Sequence, residues 1–261
     1  MNWRSKLAGV GLLAAVLAGS PAWAQTSAAP AAQARTVEAA DMPAIKGKDQ
    51  PSNTLLKRHE AFLVDLKALN GKCGVLFVGD SITDGWRGKN GKEVFETNYG
   101  SMDPFNIGIG GDKTQHVLWR LDHGEVDGIS PKVAVLMIGT NNLGSEKRAL
   151  NTDDEIVAGV TKIVKELNEK LPKTKVLLLG IFPRANKADS PFRARIKAIN
   201  AQLAHLDDNG VHVKYLDFGD KFLEPDGTLS KEIMPDYLHP NAKGYGIWAE
   251  EMGPTLKSLM E

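Results

Sequence analysis

One cysteine in 261 residues excludes an internal disulfide, and the charges cancel at 32 basic against 32 acidic residues. A chain so balanced has no global field to draw it to nucleic acid or to an anionic lipid surface. The cysteine, Cys73, stands just before an apolar stretch and reads as a small buried residue. Long apolar runs are missing too. The N-terminus carries Arg4 and Lys6, an apolar core from Leu7 to Gly19, and then Ala22-Trp23-Ala24. That core is too short for an ordinary transmembrane helix. Its small-x-small ending is a signal-peptidase pattern, with cleavage expected after Ala24. "LAGS" has serine where a lipoprotein signal needs cysteine. The mature chain is therefore expected to be exported, secreted or periplasmic, without a membrane span. Residues 25–52, rich in Ala, Pro, Gln and Lys and without periodicity, read as a flexible linker. There is no long internal repeat.

What is present is the composition of an ordinary globular domain, 42% hydrophobic and 25% charged. From residue 53 to 261 the pattern is regular. Leu55, Leu56, Phe62, Leu63, Leu66 and Leu69 share a helical face that stops at Gly71. Short apolar runs at 75–79, 105–107, 133–138, 176–181 and 211–216 read as strands. Helical patterns near 113–123, 153–171, 191–208 and 242–259 fall between and after them. Thr152 and Glu155 have the spacing of a capping box. Strands alternating with helices predict one doubly wound α/β domain on a parallel sheet.

The first strand, in "VLFVGDSITDGW", ends abruptly on Asp80 and Ser81. Ligands of open α/β sheets sit at the carboxyl ends of strands, so a reactive serine would stand there. A hydrolytic serine also needs a base, a group that orients the base, and donors for the oxyanion. Among six histidines, His239 in "MPDYLHPN" has the most suggestive surroundings. Asp236 lies three residues before it, and Pro240 disfavours helix at His239. His116 and His123 are seven apart on one helix face with no partners to complete a zinc motif. His59, His205 and His212 read as structural or solvated. Oxyanion donors could come from "NIGIGGDKT" at 106–114 or "MIGTNN" at 137–142, either of which could equally be a plain turn. The glycine loop is not a P-loop, because Asp112 precedes Lys113-Thr114. It also fails the dinucleotide fingerprint, because Lys113 stands where the last glycine belongs.

"GDS" at 79–81, "GGD" at 110–112, "GTNN" at 139–142 and "DYLH" at 236–239, in this order, resemble the four blocks of the SGNH branch of the GDSL hydrolases. The wider wording over 53–261 is similar to the catalytic subunits of platelet-activating factor acetylhydrolase and their bacterial relatives. The resemblance implies a three-layer α/β/α, flavodoxin-like fold with about five parallel strands. It also implies ester hydrolysis with neither metal nor organic cofactor. Carried over by motif, Ser81 is the nucleophile, His239 the base and Asp236 its orienting acid. The backbone amides of Ser81 and Gly111 and the side-chain amide of Asn141 form the oxyanion hole. Ile82 stands where the motif's name expects leucine. Ile82, Thr140 and Leu238 occupy positions that close the acyl side of the pocket in the acetylhydrolases, which implies a small acyl group, acetyl. The acetylhydrolase subunits pair, so a homodimer follows by analogy. The alcohol half is not legible, although export makes an acetylated glycan attractive. Two other readings compete: a carbohydrate-binding or scaffold protein without turnover, and a phosphoesterase using Asp80, Asp84 and Asp112 as metal ligands. A chelator added to an esterase assay separates the latter from serine chemistry.

Overall fold

The computed structural model describes residues 37–46 and 54–261. The expected signal peptide and residues 25–36 and 47–52 of the expected linker lie outside the described residues. The sheet contains β1 (Val75–Gly79), β2 (Pro104–Asn106), β3 (Val133–Met137), β4 (Lys175–Leu179) and β5 (Val213–Leu216). All pairings are parallel and the order is β2-β1-β3-β4-β5. Every residue of β1 and β3 is buried, which is why these strands are continuous apolar runs rather than alternating ones.

Successive side chains of each strand enter opposite layers. Leu76 and Val78 of β1 join one core with residues of α1 (Thr54–Ala68), α4 (Thr114–Asp122), α5 (Asp153–Lys170) and α6 (Pro191–Leu203). Val75 and Phe77 join the other, with residues of α7 (Ala242–Met260) and the aromatic Trp86 and Tyr99. The fold is thus the three-layer α/β/α arrangement, with the strand order of flavodoxin-like sheets. The capping box forms as the spacing predicts: Thr152 Oγ1 accepts from Glu155 N at 3.3 Å and Glu155 Oε2 accepts from Thr152 N at 2.9 Å. Cys73 is buried, and burial pushes its thiol up to about 12.

Two helices have no counterpart in the sequence pattern, α2 (Ser81–Asp84) and α3 (Lys92–Tyr99). At four and eight residues they are too short to show a helical period. Tertiary burial holds them: between them Trp86 packs its ring 4.4 Å from Tyr245, 4.9 Å from Trp248 and 5.6 Å from Tyr99. The reading of 25–52 as a flexible linker requires correction over residues 37–46. This strap lies against α4 and α5, with Thr114 Oγ1 donating to Ala40 O at 2.7 Å and Ala44 N donating to Gln115 O at 3.0 Å. Lys162 Nζ donates to Asp41 O at 2.8 Å. Its backbone groups bond to side chains and backbone distant in sequence, so composition could not reveal it.

Candidate active site

The order β2-β1-β3 makes the carboxyl edge of β1 and β3 the place where the chain reverses direction across the sheet, and a crevice opens at such a point. Three loops meet there. The first follows β1 directly into α2. Asp80 caps this helix through Oδ1, which accepts from Ile82 N at 3.0 Å, and Ser81 is the first residue of the helix. Its amide is one of the helix-start N–H groups that have no intrahelical acceptor.

The second loop follows β2. Ile109 O accepts from Asp112 N at 3.1 Å, closing a turn with Gly110 and Gly111 at its centre. Gly111 has φ +75, the positive angle that the third position of a type II turn requires and that glycine adopts without strain. The turn lies against the nucleophile motif, since a Cβ at Gly110 would stand 3.9 Å from Ser81 Cβ. The third loop follows β3. Asn141 Nδ2 donates to Asp112 O at 2.8 Å, so one N–H of its amide ties the third loop to the second. The other N–H has no partner among the described residues.

The remaining groups arrive from 158 residues away. Ser81 Oγ–H donates to His239 Nε2 at 2.8 Å, and His239 Nδ1–H donates to Asp236 Oδ2 at 2.6 Å. Asp236 Oδ1 also accepts from the backbone amides of Leu238 at 3.1 Å and His239 at 2.7 Å. These bonds hold a tight turn in which Tyr237 takes φ +60, an uncommon angle for an aromatic residue. Burial pushes the Asp236 carboxyl up, but the hydrogen bonds from the His239 ring and backbone outweigh it and hold the group below the usual carboxylate range. Asp236 is therefore a carboxylate at neutral pH. An imidazole between a hydroxyl and a carboxylate can take the hydroxyl proton while its orientation stays fixed.

Every residue assigned through the motifs lies at this edge except as follows. Ile82 and Thr140, expected to crowd the acyl group, are only 2% and 3% exposed. Ile82 packs into the core beside Trp86, and its carbonyl accepts from Tyr245 Oη at 2.8 Å. The two residues line a narrow void, shared with Met137 and Ile181, that is too small for water. Leu238 is half-buried against the same core. Of the three, only Leu238 retains substantial exposure. Arg184, just after β4, was not singled out in the sequence. Its Nη1 donates to Thr140 O at 3.0 Å and its guanidinium lies 4.2 Å over the Phe192 ring. An arginine in "GIFPR", five residues beyond the end of β4, was the available signal.

The three aspartates of the phosphoesterase reading are otherwise engaged. Asp80 caps α2, and burial, helped by Asp112, pushes its carboxyl up to about 7. Asp84 pairs with Arg58 at 3.2 Å and with Arg87, and Asp112 pairs with Arg120 at 2.9 Å. His116 is buried, which depresses its imidazole to about 3, and it accepts from Lys113 N at 3.1 Å. No group of three or more His, Cys, Asp or Glu among the described residues could hold a metal ion. The larger surface depressions lie elsewhere, one near Leu63, Leu66 and His123 and another along α5, so the site is marked by its chemistry rather than by its depth. Asn141→Ala should lower kcat by roughly a hundredfold or more with a smaller effect on KM. A change confined to KM would make it a binding residue instead.

Fold and site define a carboxylic ester hydrolase on a flavodoxin-like α/β/α scaffold. Residues 77–247 match the GDSL-like lipase/acylhydrolase family, and the chain belongs to it. It is 33% identical over 217 residues to the human platelet-activating factor acetylhydrolase IB subunit alpha2, covering 83% of this chain and 88% of the relative. Among solved structures it resembles a GDSL-like lipase from Bacteroides thetaiotaomicron, with TM-score 0.64 and 19% identity over 77% of this chain and 97% of that one. An acetyl xylan esterase shares the fold at TM-score 0.60 and 21% identity, over 70% of this chain and 99% of that one. No helix among the described residues is long and apolar enough to cross a membrane.

Proposed function

We propose that this chain is an exported serine esterase that removes short acyl groups, acetyl above all, from a carbohydrate ester. The observation that carries the reading is the unbroken hydrogen-bonded run Ser81–His239–Asp236 at the carboxyl end of β1. As Ser81 Oγ attacks the ester carbonyl carbon, its proton passes to His239 Nε2. The carbonyl oxygen becomes an oxyanion facing the amides of Ser81, Gly111 and Asn141. The tetrahedral species collapses, the alcohol leaves with the proton from Nε2, and an acyl-serine remains. Water then gives its proton to Nε2 and attacks the acyl-serine, releasing the acid and restoring the hydroxyl.

The acetyl preference is supported by Leu238, which stays half-exposed directly before His239, and by a 33% identical relative that bears the name acetylhydrolase. A longer chain must displace Leu238, and overpacking of that kind costs about 1 to 3 kcal/mol. That is roughly a five- to 150-fold preference in rate. With p-nitrophenyl esters from acetate to decanoate, kcat/KM should fall steeply beyond butyrate, and Leu238→Ala should flatten the fall. An optimum at octanoate or longer would replace the acetylesterase reading with a lipase-like one. Acetylated sugars, xylan and phospholipids, each assayed with wild type and Ser81→Ala, identify the alcohol. Export is tested by sequencing the N-terminus of protein recovered outside the cytoplasm, where Gln25 is the expected first residue. Its oligomeric state in solution tests the homodimer inferred from the acetylhydrolases.

A further inference from the structure

The oxyanion turn is built from two adjacent glycines, and nothing in their covalent structure fixes the peptide between them. That peptide carries both the Gly110 carbonyl and the Gly111 amide. Its two orientations are what distinguish a type II turn from a type I turn. The positive φ of Gly111 belongs to the first orientation. In a trans peptide the carbonyl and the N–H point in opposite directions, so fixing one end of the unit fixes the other. The outer end is held by a residue far away in sequence: Lys46 Nζ donates to Gly110 O at 2.6 Å.

Lys46 is placed there by the strap. Ala40 is fully buried and sits where α5 has no side chain, since a Cβ at Gly159 would approach Ala40 O to 2.6 Å. Ala44 N and Lys46 Nζ then bond in succession to Gln115 at the start of α4 and to the glycine turn. Beneath the turn lies Asp112 Oδ1, a buried carboxylate oxygen with no hydrogen-bond partner, 3.9 Å from Lys46 Nζ. Its charge draws the ammonium onto the turn. The other oxygen, Oδ2, is occupied by Arg120.

We propose that Lys46 is a positioning residue for ester hydrolysis: its ammonium locks the Gly110–Gly111 peptide with the Gly111 N–H turned toward the oxyanion. A cation on the carbonyl also polarises the amide, and hydrogen bonds linked through one peptide strengthen each other. The developing oxyanion therefore meets a donor that is both oriented and more acidic. The inference rests on the Ser81 esterase reading and adds the strap to its machinery. It also gives residues 37–46 a role other than tethering.

The test is steady-state hydrolysis of p-nitrophenyl acetate by the full mature chain carrying Lys46→Met, Lys46→Ala or Lys46→Arg. Both neutral variants should lose roughly tenfold in kcat, less than the hundredfold or more that follows deletion of an oxyanion donor. KM and Tm should stay near wild type, and Lys46→Arg, which retains a cation, should recover most of the rate. Inactivation by diethyl p-nitrophenyl phosphate, whose phosphoryl oxygen must enter the same hole, should slow in parallel. The proposal is overturned if the neutral variants keep wild-type kcat, if their loss follows KM or Tm, or if arginine restores nothing. Ser81→Ala in the same assay separates the two levels. An active Ser81→Ala enzyme removes the serine-nucleophile reading itself, whereas an inactive one beside an intact Lys46→Met removes only the role of Lys46.

Discussion

Replacing Ser81 by alanine is expected to lower kcat for acetyl ester hydrolysis on the order of a millionfold, the scale seen when a triad nucleophile is removed. The fold should be untouched. Ser81 is half-buried at a loop-to-helix junction, and the helix there is capped by the Asp80 carboxylate, not by the serine hydroxyl. The bond lost is the one to His239 Nε2, and it ends on a half-exposed ring that water can reach. Tm should therefore move little. His239→Ala should lose nearly as much activity. The double variant should be no worse than either single one, because nucleophile and base act in a single step. Kinetics on p-nitrophenyl acetate with circular dichroism of each variant decide the matter. Retention of more than about one part in a hundred of wild-type turnover by Ser81→Ala would leave no room for a serine nucleophile.

The largest expected effect on stability lies at Arg120, whose side chain is fully buried between two carboxylates. Nε donates to Asp112 Oδ2 at 2.9 Å, Nη1 donates to Ile107 O at 2.9 Å and also to Glu125 Oε2, and Glu125 Oε1 lies 2.8 Å from His59 Nδ1. Although burial opposes its charge, the carboxylates of Glu125 and Asp112 outweigh that penalty and raise its basicity. Arg120→Met fits the space but leaves two buried acids without their cation, at a cost of about 3 to 5 kcal/mol. That is a large part of the 5 to 15 kcal/mol by which a domain of this kind is typically stable.

The loss should depend on pH. Burial already raises Asp112 from 3.8 to about 6, with Arg120 holding it down. A carboxyl raised in the folded state keeps a proton that the unfolded chain gives up, so it costs stability as pH rises through that window. Without Arg120 the folded-state shift grows, and the penalty should be larger at pH 8 than at pH 5. Urea unfolding at both values measures it. A deficit below about 1 kcal/mol at pH 8 would mean that the charge network is not holding the glycine turn, since a buried pair that is broken costs several times that.

The sequence was most legible where a structural feature is local. Strands β1 and β3 are buried on both faces, so hydrophobicity alone marks them. The capping box of α5 closes over four residues, and its spacing is its geometry. The candidate site was legible for a different reason, its resemblance to a family. Ser81, Gly111, Asn141 and the Asp236–His239 pair sit in short loops at strand or helix ends, where four brief motifs in a fixed order stand out against an otherwise ordinary composition. Ile82 and Thr140 were legible as positions beside those motifs but not as orientations, and the structure turns both inward.

What the sequence by itself determined is most of the segments that form strands or helices, the alternation that makes the sheet parallel, and, through its resemblance to a family, which side chains are candidates for the chemistry. The first two follow from periodicity and the third from short motifs, and both are properties of neighbours along the chain. Only the tertiary structure decided which groups meet. It brought His239 across 158 residues to Ser81, set Arg120 between Asp112 and Glu125, formed α2 and α3 under an aromatic cluster, and laid residues 37–46 along α4 and α5 so that Lys46 reaches Gly110. Each of these contacts depends on the distance between elements after packing. Burial makes the polar ones strong by excluding water, and neither that distance nor that burial is a property of any single stretch of sequence.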